Sequence, residues 1–432
     1  MAKVCPISLT LLFTFCLFES KALAQAGSLL PQRFSLSLAT TLSDLKSLNQ
    51  RILLRRNLQQ RPPLRSVNQR AVLTTLVSFN GRNGAHPAGP VMQGKDGNFY
   101  GTTEEGGIHR FYGTLFRLSR SGSLTTLFSF AGLEGAEPQS GLIQTRDGSL
   151  WGTTARQGKN GGGTVFRFTA GQRILNLANL EGLQGSEPVA ELVQGGDGNF
   201  YGTTIAGGKN DLGTIFRLTP NRQLTTLVHF NGANGARPYA RLTLGLDGNF
   251  YGTTSAGGAS RTCKLGCGTL FRLTATGQLT TLFSFSGRNG STPVSPLVQG
   301  QDGSLYGTTA YGGINDQGTI FRLAPTRQLT TLIRFTRGNG ATPLAGLTPD
   351  DQGNFYGTTQ AGGNSSSCPG GCGTVFRLAP TGRLTRLISF NGRNGSQPFA
   401  ELVQIGDGSF LGTTKFGGSH GLGTVFRFIM RR

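Results

Sequence analysis

The sequence predicts an all-β fold, a seven-bladed β-propeller of four-stranded blades, and three observations carry that prediction. A recognisable copy of the stretch YGTT…GG…GT-x-FRL occurs seven times. Each repeat of about 50 residues holds four short strand patterns separated by turn signals, the signature of a propeller blade rather than of the much shorter turn of a β-solenoid. The array opens on a lone fourth strand, Leu73 to Phe79, and closes after a third strand, Gly423 to Phe428. The early strand then completes the last blade, which closes the ring and protects edges that an open array would expose.

The repeat positions are regular. The residue opening each copy is Tyr100, Trp151, Tyr201, Tyr251, Tyr306, Tyr356 or Leu411, at intervals of 51, 50, 50, 55, 50 and 55 residues. Both longer intervals contain a C-x3-C pair between the GG and GT dipeptides, so the extra residues enlarge one loop and leave the strands alone. Sixty-eight glycines and 14% charged residues describe a turn-rich, sheet-rich chain. With 29 Phe against one Trp and three Met, Phe joins Leu and Val in filling the core.

In the third copy the four strands are expected at about Ala190 to Gln194, Asn199 to Thr204, Gly213 to Leu218 and Gln223 to Phe230. Asp197-Gly198 is expected to close the first hairpin through a primed turn, because Asn, Asp and Gly supply positive φ cheaply. Gly207-Gly208 separates strands two and three, and Pro220-Asn221 turns three into four. A proline starts each new blade, as Pro87, Pro138, Pro188, Pro238, Pro293, Pro343 and Pro398, where no ladder donor is lost.

Three domains follow. Residues 1–24 read as an export signal: Lys3 forms the positive region, Ile7 to Phe18 the apolar region, and Ala22-Leu23-Ala24 the cleavage site. Cys16 lacks the small residues that precede a lipidated cysteine. Residues 25–70 form a basic linker or an amphipathic helix, since Leu38, Leu42, Leu45, Leu48 and Ile52 recur at helical spacing before Pro62-Pro63. Residues 71–432 are the propeller. No later stretch approaches the ~20 apolar residues of a membrane span.

Export sets the reading of the cysteines. Cys5 and Cys16 leave with the signal, and Cys263 with Cys267 and Cys368 with Cys372 are expected as two local disulfides in an oxidising setting. Zinc wants four ligands and neither pair has a His or further Cys beside it, so no metal and no cofactor is expected. Removal of the signal leaves 39 basic against 19 acidic residues, a formal charge of +20. That excess favours anionic partners such as polysaccharide or lipid headgroups, and export argues against nucleic acid. Residues 25–70 could meet an anionic surface.

The unit DGNFYGTT…GG…GTxFRL…LTTLxSFNG…NG…P resembles the Gloeo_Verruco tandem repeat of exported bacterial proteins and, more distantly, kelch blades, over roughly Leu73 to Phe428. The resemblance implies a secreted or surface propeller and carries no established chemistry.

Positions identical in every blade are weighed first as scaffold. Phe116, Phe166, Phe216, Phe271, Phe321, Phe376 and Phe426 are expected between blades. The Arg that follows each of them can pair with the hairpin aspartates Asp96, Asp147, Asp197, Asp247, Asp302 and Asp407, with Gln352 as the exception; those aspartates can equally serve the turn.

Function is sought where copies diverge, on the face shared by the loops from strand four to one and from strand two to three. The residue before each repeated proline varies as His86, Glu137, Glu187, Arg237, Thr292, Thr342 and Gln397, and these are expected around the channel mouth. Glu137 and Glu187, with His86 beside them, are the carboxylate pair to consider for acid and base work. Arg82, Arg288 and Arg393 share one loop position and can form a basic arc. His109, Glu104 and Glu105 cluster in one loop, and the short loop Lys209 to Leu212 diverges among copies, as do its cysteine-bearing counterparts.

The leading expectation is an exported, monomeric, non-enzymatic propeller that binds a polysaccharide or an envelope protein through His86, Glu137, Glu187, Arg237, Arg82, Arg288 and Arg393. The alternatives are a carbohydrate-active hydrolase or lyase using Glu137 and Glu187, and an electrostatic envelope-associated protein. No sialidase Asp-box, quinoprotein tryptophan pattern, G-x-S-x-G or HExxH occurs.

Overall fold

A computed structural model describes residues 70–431 apart from 170 and 172. The export signal and residues 25–69 of the expected linker or helix lie outside the described residues, while Arg70, placed in that segment by the sequence, opens the first strand.

Seven antiparallel sheets follow one another along the chain. Blades 1 to 6 occupy residues 92–129, 143–179, 193–229, 243–284, 298–334 and 348–389, each a four-stranded meander with its strands in sequence order. Blade 7 takes Val403–Gln404, Phe410–Phe416 and Thr424–Arg431 and receives Arg70–Ser78 as its outermost strand, paired antiparallel from Arg70↔Arg431 to Ser78↔Thr424. The expected closure of the ring by the N-terminal strand is thus the observed one. Across the seam, Thr413 Oγ1 of blade 7 donates to Gly89 O of blade 1 at 3.2 Å.

The repeated motif is explained by packing and hydrogen bonds. The second Thr of GTT and the Thr of GT share a buried hydroxyl pair in all seven blades, for example Thr204 and Thr214 at 2.8 Å. The first Thr reaches the next blade, as Thr153 Oγ1 does to Ala190 O at 3.1 Å and Thr203 Oγ1 to Ala240 O at 3.2 Å. Gly202 lies under the Phe216 ring, where a Cβ would sit 2.4 Å from Cζ. Gly213, at φ 93°, seats the proline of the next blade, for its Cβ would fall 2.3 Å from Thr204 O and 2.8 Å from Pro238 Cδ. The strand-three Phe residues are fully buried, and the apolar clusters join one blade to the next, as Trp151 stacks on Phe200 at 4.0 Å.

Three details differ from expectation. The innermost strands pair over only two residues, Val193–Gln194 in blade 3, instead of five. The preceding carbonyl, Ala190 O, is bound by the neighbouring blade and so is withdrawn from its own ladder. The hairpin is not a primed turn. Gly198 N donates to Gly195 O at 3.0 Å and only Gly198 (φ 79°) takes positive φ, which is a type I turn closed by a left-handed glycine. Finally, the expected pair of the strand-three Arg with the hairpin Asp is seen as Arg167–Asp147, Arg322–Asp302 and Arg427–Asp407, where Ser follows the DG dipeptide. Where Asn follows it, as in blades 1, 3 and 4, the Asn amide and a Tyr hydroxyl occupy the carboxylate. In blade 6 Asp350 takes over, accepting from Asn354 N and Nδ2 at 2.8 Å, so Gln352 leaves no gap.

Both C-x3-C pairs are disulfides, Cys263–Cys267 and Cys368–Cys372. Among the described residues no helix is long and apolar enough to cross a membrane, and no group of three or more His, Cys, Asp or Glu is placed to hold a metal ion.

Candidate functional site at the channel mouth

The residue before each repeated proline is left-handed in every blade: His86, Glu137, Glu187, Arg237, Thr292, Thr342 and Gln397 have φ between 53° and 57°. Such a conformation is uncommon for any side-chain-bearing residue and costly for a β-branched one such as Thr292. Hydrogen bonds to two blades hold it there. Glu187 N donates to Gly162 O of blade 2 at 2.9 Å, and its own carbonyl accepts from Ile205 N of blade 3 at 3.2 Å. Arg237 repeats the pattern with Leu212 O at 2.8 Å and Ser255 N at 3.1 Å. Each variable side chain is thus fixed at a junction between blades, on the face of the loops from strand four to one.

Around this ring the charges are concentrated on one arc. Arg156 Nε lies 3.1 Å from Glu137 and its terminal nitrogen 3.9 Å from Glu187, clamping the two carboxylates. Burial raises the Glu137 carboxyl above the ordinary range, Arg156 opposes that, and the charges of Glu104 and Glu105 add to it. Lys415 Nζ binds Glu104 at 2.6 Å and lies over the Phe399 ring at 5.5 Å. Gln139 Nε2 donates to the same Glu104 at 2.9 Å. His86 Nδ1 stands 3.4 Å from Glu105, and its ring packs 4.9 Å from Phe416. One set of polar contacts thus joins blades 7, 1 and 2 through Lys415, Glu104 and Gln139, and a second joins blades 2 and 3 through Glu137, Arg156 and Glu187. In blades 4 to 6 the residues before the proline are Arg237, Thr292 and Thr342, those after it are Tyr239, Val294 and Leu344, and Tyr311 of blade 5 stands at the position of Glu105 and Arg156, with both tyrosines exposed (39% and 46%).

A second constellation lies deeper in the channel. Three residues after each repeated proline, the copies read Pro90, Gly141, Glu191, Arg241, Pro296, Gly346 and Glu401. Arg241 of blade 4 donates to Glu401 of blade 7 at 3.1 Å and stands 3.8 Å from Glu191 of blade 3. The guanidinium is a bar across the channel. Burial, with the charge of Glu401 added, pushes the Glu191 carboxyl up to about 7 although Arg241 opposes the shift. Glu401 in turn raises Arg241 above its already high value.

The Gloeobacter/Verrucomicrobia repeat matches the chain in overlapping stretches, 65–265, 148–368 and 264–431. The chain belongs to this repeat family. No curated protein matches its sequence. Among solved structures, the repeat-family propeller is similar to the extracellular domain of a protein described as a hybrid two-component system of B. thetaiotaomicron, at 13% identity and a TM-score of 0.55, over 82% of this chain and 39% of that one. It therefore spans about two fifths of that chain's length. It is also similar to a protein of Bacteroides fragilis described as a 6-phosphogluconolactonase, at 16% identity and a TM-score of 0.50, over 78% of this chain and 99% of that one. At these identities the likeness is one of fold.

Within the repeat-family propeller the candidate residues from the sequence fall into two groups. His86, Glu137, Glu187 and Arg237 sit at equivalent blade junctions around the mouth, and Arg237 is exposed with no side-chain partner among the described residues. Arg82, Arg288 and Arg393 are exposed at the tips of the preceding loops, where Arg82 shares a cleft with Thr126 to Ser129 and Arg393 one with Thr75 to Ser78. They belong to the outer rim, beside outermost strands. The polar side chains of the loop Lys209 to Leu212 are used within the blade: Asp211 Oδ1 accepts from Gly207 N at 2.7 Å and Asn210 Nδ2 donates to Phe230 O at 2.8 Å. Glu191, Arg241 and Glu401 were missed by the sequence reading. Counting three residues on from each proline would have found them, since Glu and Arg stand there where the other four copies have Pro or Gly.

Proposed function

We propose that this repeat-family propeller is an exported binding protein that takes a polysaccharide on its loop face, at the channel mouth, without chemical turnover. The observation that carries this reading is the ring of variable residues before the prolines, held left-handed by hydrogen bonds to two blades. Backbone cost of this kind is sustained only where surrounding structure enforces it, and here it presents His86, Glu137, Glu187 and Arg237 at fixed positions. The charged arc supplies directional hydrogen bonds, and the facing arc with Tyr239 and Tyr311 supplies flat apolar surface, a division of labour common to small-ligand sites. An envelope protein is the other partner such a face fits. Export accords with two disulfides.

Arg156 supports binding over hydrolysis. Its guanidinium stands between the two carboxylates, 3.1 Å from Glu137 and 3.9 Å from Glu187, and so occupies the space that a glycosidic oxygen or an attacking water would need between an acid and base pair. Turnover of a polysaccharide panel that disappears in Glu137→Ala or Glu187→Ala would reverse this choice.

The test is binding of envelope glycans by the wild type and by a variant carrying Ala at 86, 137, 187 and 237. The variant is expected to lose at least tenfold in affinity; equal binding by both removes the site. Residues 25–70 are proposed as a tether to an anionic surface, and their deletion should release the protein from envelope membranes.

A further inference from the structure

The central channel does not end at the Arg241 bar. The inner strands run from the loop face toward the hairpins, with Glu191, Arg241 and Glu401 at their start and Gln93 and Gln404 at their end. A cavity of about 330 Å³ lies along them, lined by these five residues and by Thr348 among others. It extends past the bar toward the hairpin face, opposite the proposed polysaccharide site, and its size is at the lower end for small-molecule sites.

The lining is unbalanced in two ways. Two carboxylates share one guanidinium, so the fully ionised set carries a net charge of −1 on partly buried side chains, 18–29% exposed. Arg241 is committed to Glu401 through a 3.1 Å hydrogen bond, while Glu191 has the 3.8 Å approach and, among the described residues, no hydrogen bond. The glutamines differ from their equivalents in the same sense. In blades 2, 3 and 5 the Gln at this strand position donates to its own hairpin, at 3.1, 3.1 and 3.4 Å. Gln93 and Gln404, which line the cavity and are exposed, make no side-chain hydrogen bond among the described residues. Space is also kept open beside the carboxylates, because a Cβ at Gly141 would lie 2.8 Å from Glu191 Oε2 and one at Gly346 3.0 Å from Glu401 Oε1.

We propose that this cavity binds a small organic cation, a primary amine bearing a hydrogen-bonding tail, whose ammonium group is neutralised by Glu191 and Glu401 and whose tail meets the amides of Gln93 and Gln404. An ammonium supplies the missing positive charge and donates to the free carboxylate oxygens. A divalent metal fits less well, since it wants six or more oxygen ligands and would sit beside a guanidinium.

The test uses the mature chain and isothermal titration calorimetry at pH 8, where an aliphatic amine is charged. The probes are 4-amino-1-butanol, the uncharged 1,4-butanediol of the same length, and calcium chloride. The amine should bind saturably with one site per chain, and the diol about tenfold or more weakly. Glu191→Gln and Gln404→Ala should each weaken the amine about fivefold or more. Gln404→Ala leaves the ion pairs untouched, which separates loss of the site from loss of the fold. The loop-face variant, with Ala at 86, 137, 187 and 237, should bind the amine as the wild type does, so failure here and failure of the polysaccharide reading are distinct. Equal binding of amine and diol, amine binding indifferent to both substitutions, calcium taking the site in place of the amine, or no amine binding at millimolar concentration would each overturn the proposal.

Discussion

The two ends of the propeller use acidic side chains differently. At the hairpin end, Asp96, Asp147, Asp197, Asp247, Asp302, Asp350 and Asp407 each accept bonds inside their own turn. At the channel end stand six of the eight glutamates of residues 70–431: Glu104, Glu105, Glu137, Glu187, Glu191 and Glu401. Of these, Glu104, Glu187, Glu191 and Glu401 pair with residues of another blade. The short aspartate closes local loops, and the longer glutamate reaches across the spaces between blades. The difference teaches that chemistry repeated in each copy is scaffold, and that chemistry present once is the candidate for function.

That contrast can be broken by substitution. Gly202→Ala pushes a Cβ into the Phe216 ring and should cost about 3 kcal/mol. Gly412→Ala in blade 7, with a Cβ 2.5 Å from Phe426 Cζ, should cost the same; chemical denaturation checks both, and a large difference between them would deny that repeated positions are equivalent. Glu191→Gln should act in the opposite sense. A carboxyl whose folded value is raised to about 7 holds its proton more tightly than the unfolded chain, so it lowers stability as pH rises from about 4.5 through 7. The variant should therefore be more stable than wild type at pH 8, by about 1–3 kcal/mol, and match it near pH 4. A melting-temperature profile over that range with an unchanged slope would contradict the burial of this group.

Smaller effects distinguish the hairpin end. A hydrogen bond from the Thr145 hydroxyl, followed by one from Ser149 N, holds Asp147 down to about 2. Its stabilisation is present above about pH 4 and lost as pH falls through about 2. Because the side chain is half exposed, Asp147→Asn should cost less than about 1 kcal/mol at pH 7 and nothing at pH 2, as read from acid unfolding curves. Arg222 stands at φ 67° in the turn between strands three and four, where Gly122, Gly277 and Gly382 stand in other blades. Arg222→Gly should raise stability by about 1 kcal/mol, and a lower melting temperature would show that this side chain has a role the turn does not explain.

The fold was legible because sevenfold repetition turns a weak strand signal into a strong one. Tyr201-Gly202-Thr203-Thr204 is readable as a strand from its pattern, and its recurrence at a fixed period assigns it to a blade. What the pattern hid was contact across blades. Nothing local in Glu191, Arg241 or Glu401 announces that residues 160 positions apart meet on the channel axis. The pairing of Arg167 with Asp147 and the absence of a pair at Arg217 depend on a Ser or Asn beside the turn, a detail that matters only once the register is fixed. The mouth was half legible: the variable position before each proline was evident, while its left-handed backbone and the clamp by Arg156 required the structure.

The loop face, and not the hairpin face, is proposed to hold the ligand. The most direct measurement compares envelope-glycan affinity of three proteins: the wild type, the loop-face variant with Ala at 86, 137, 187 and 237, and a hairpin-face variant with Ala at the exposed positions Arg146, Arg222, Leu246 and Arg327. A loss of at least tenfold in the loop-face variant alone, with the hairpin-face variant binding as the wild type does, is the predicted result. Equal affinities, or a loss confined to the hairpin-face variant, would contradict it.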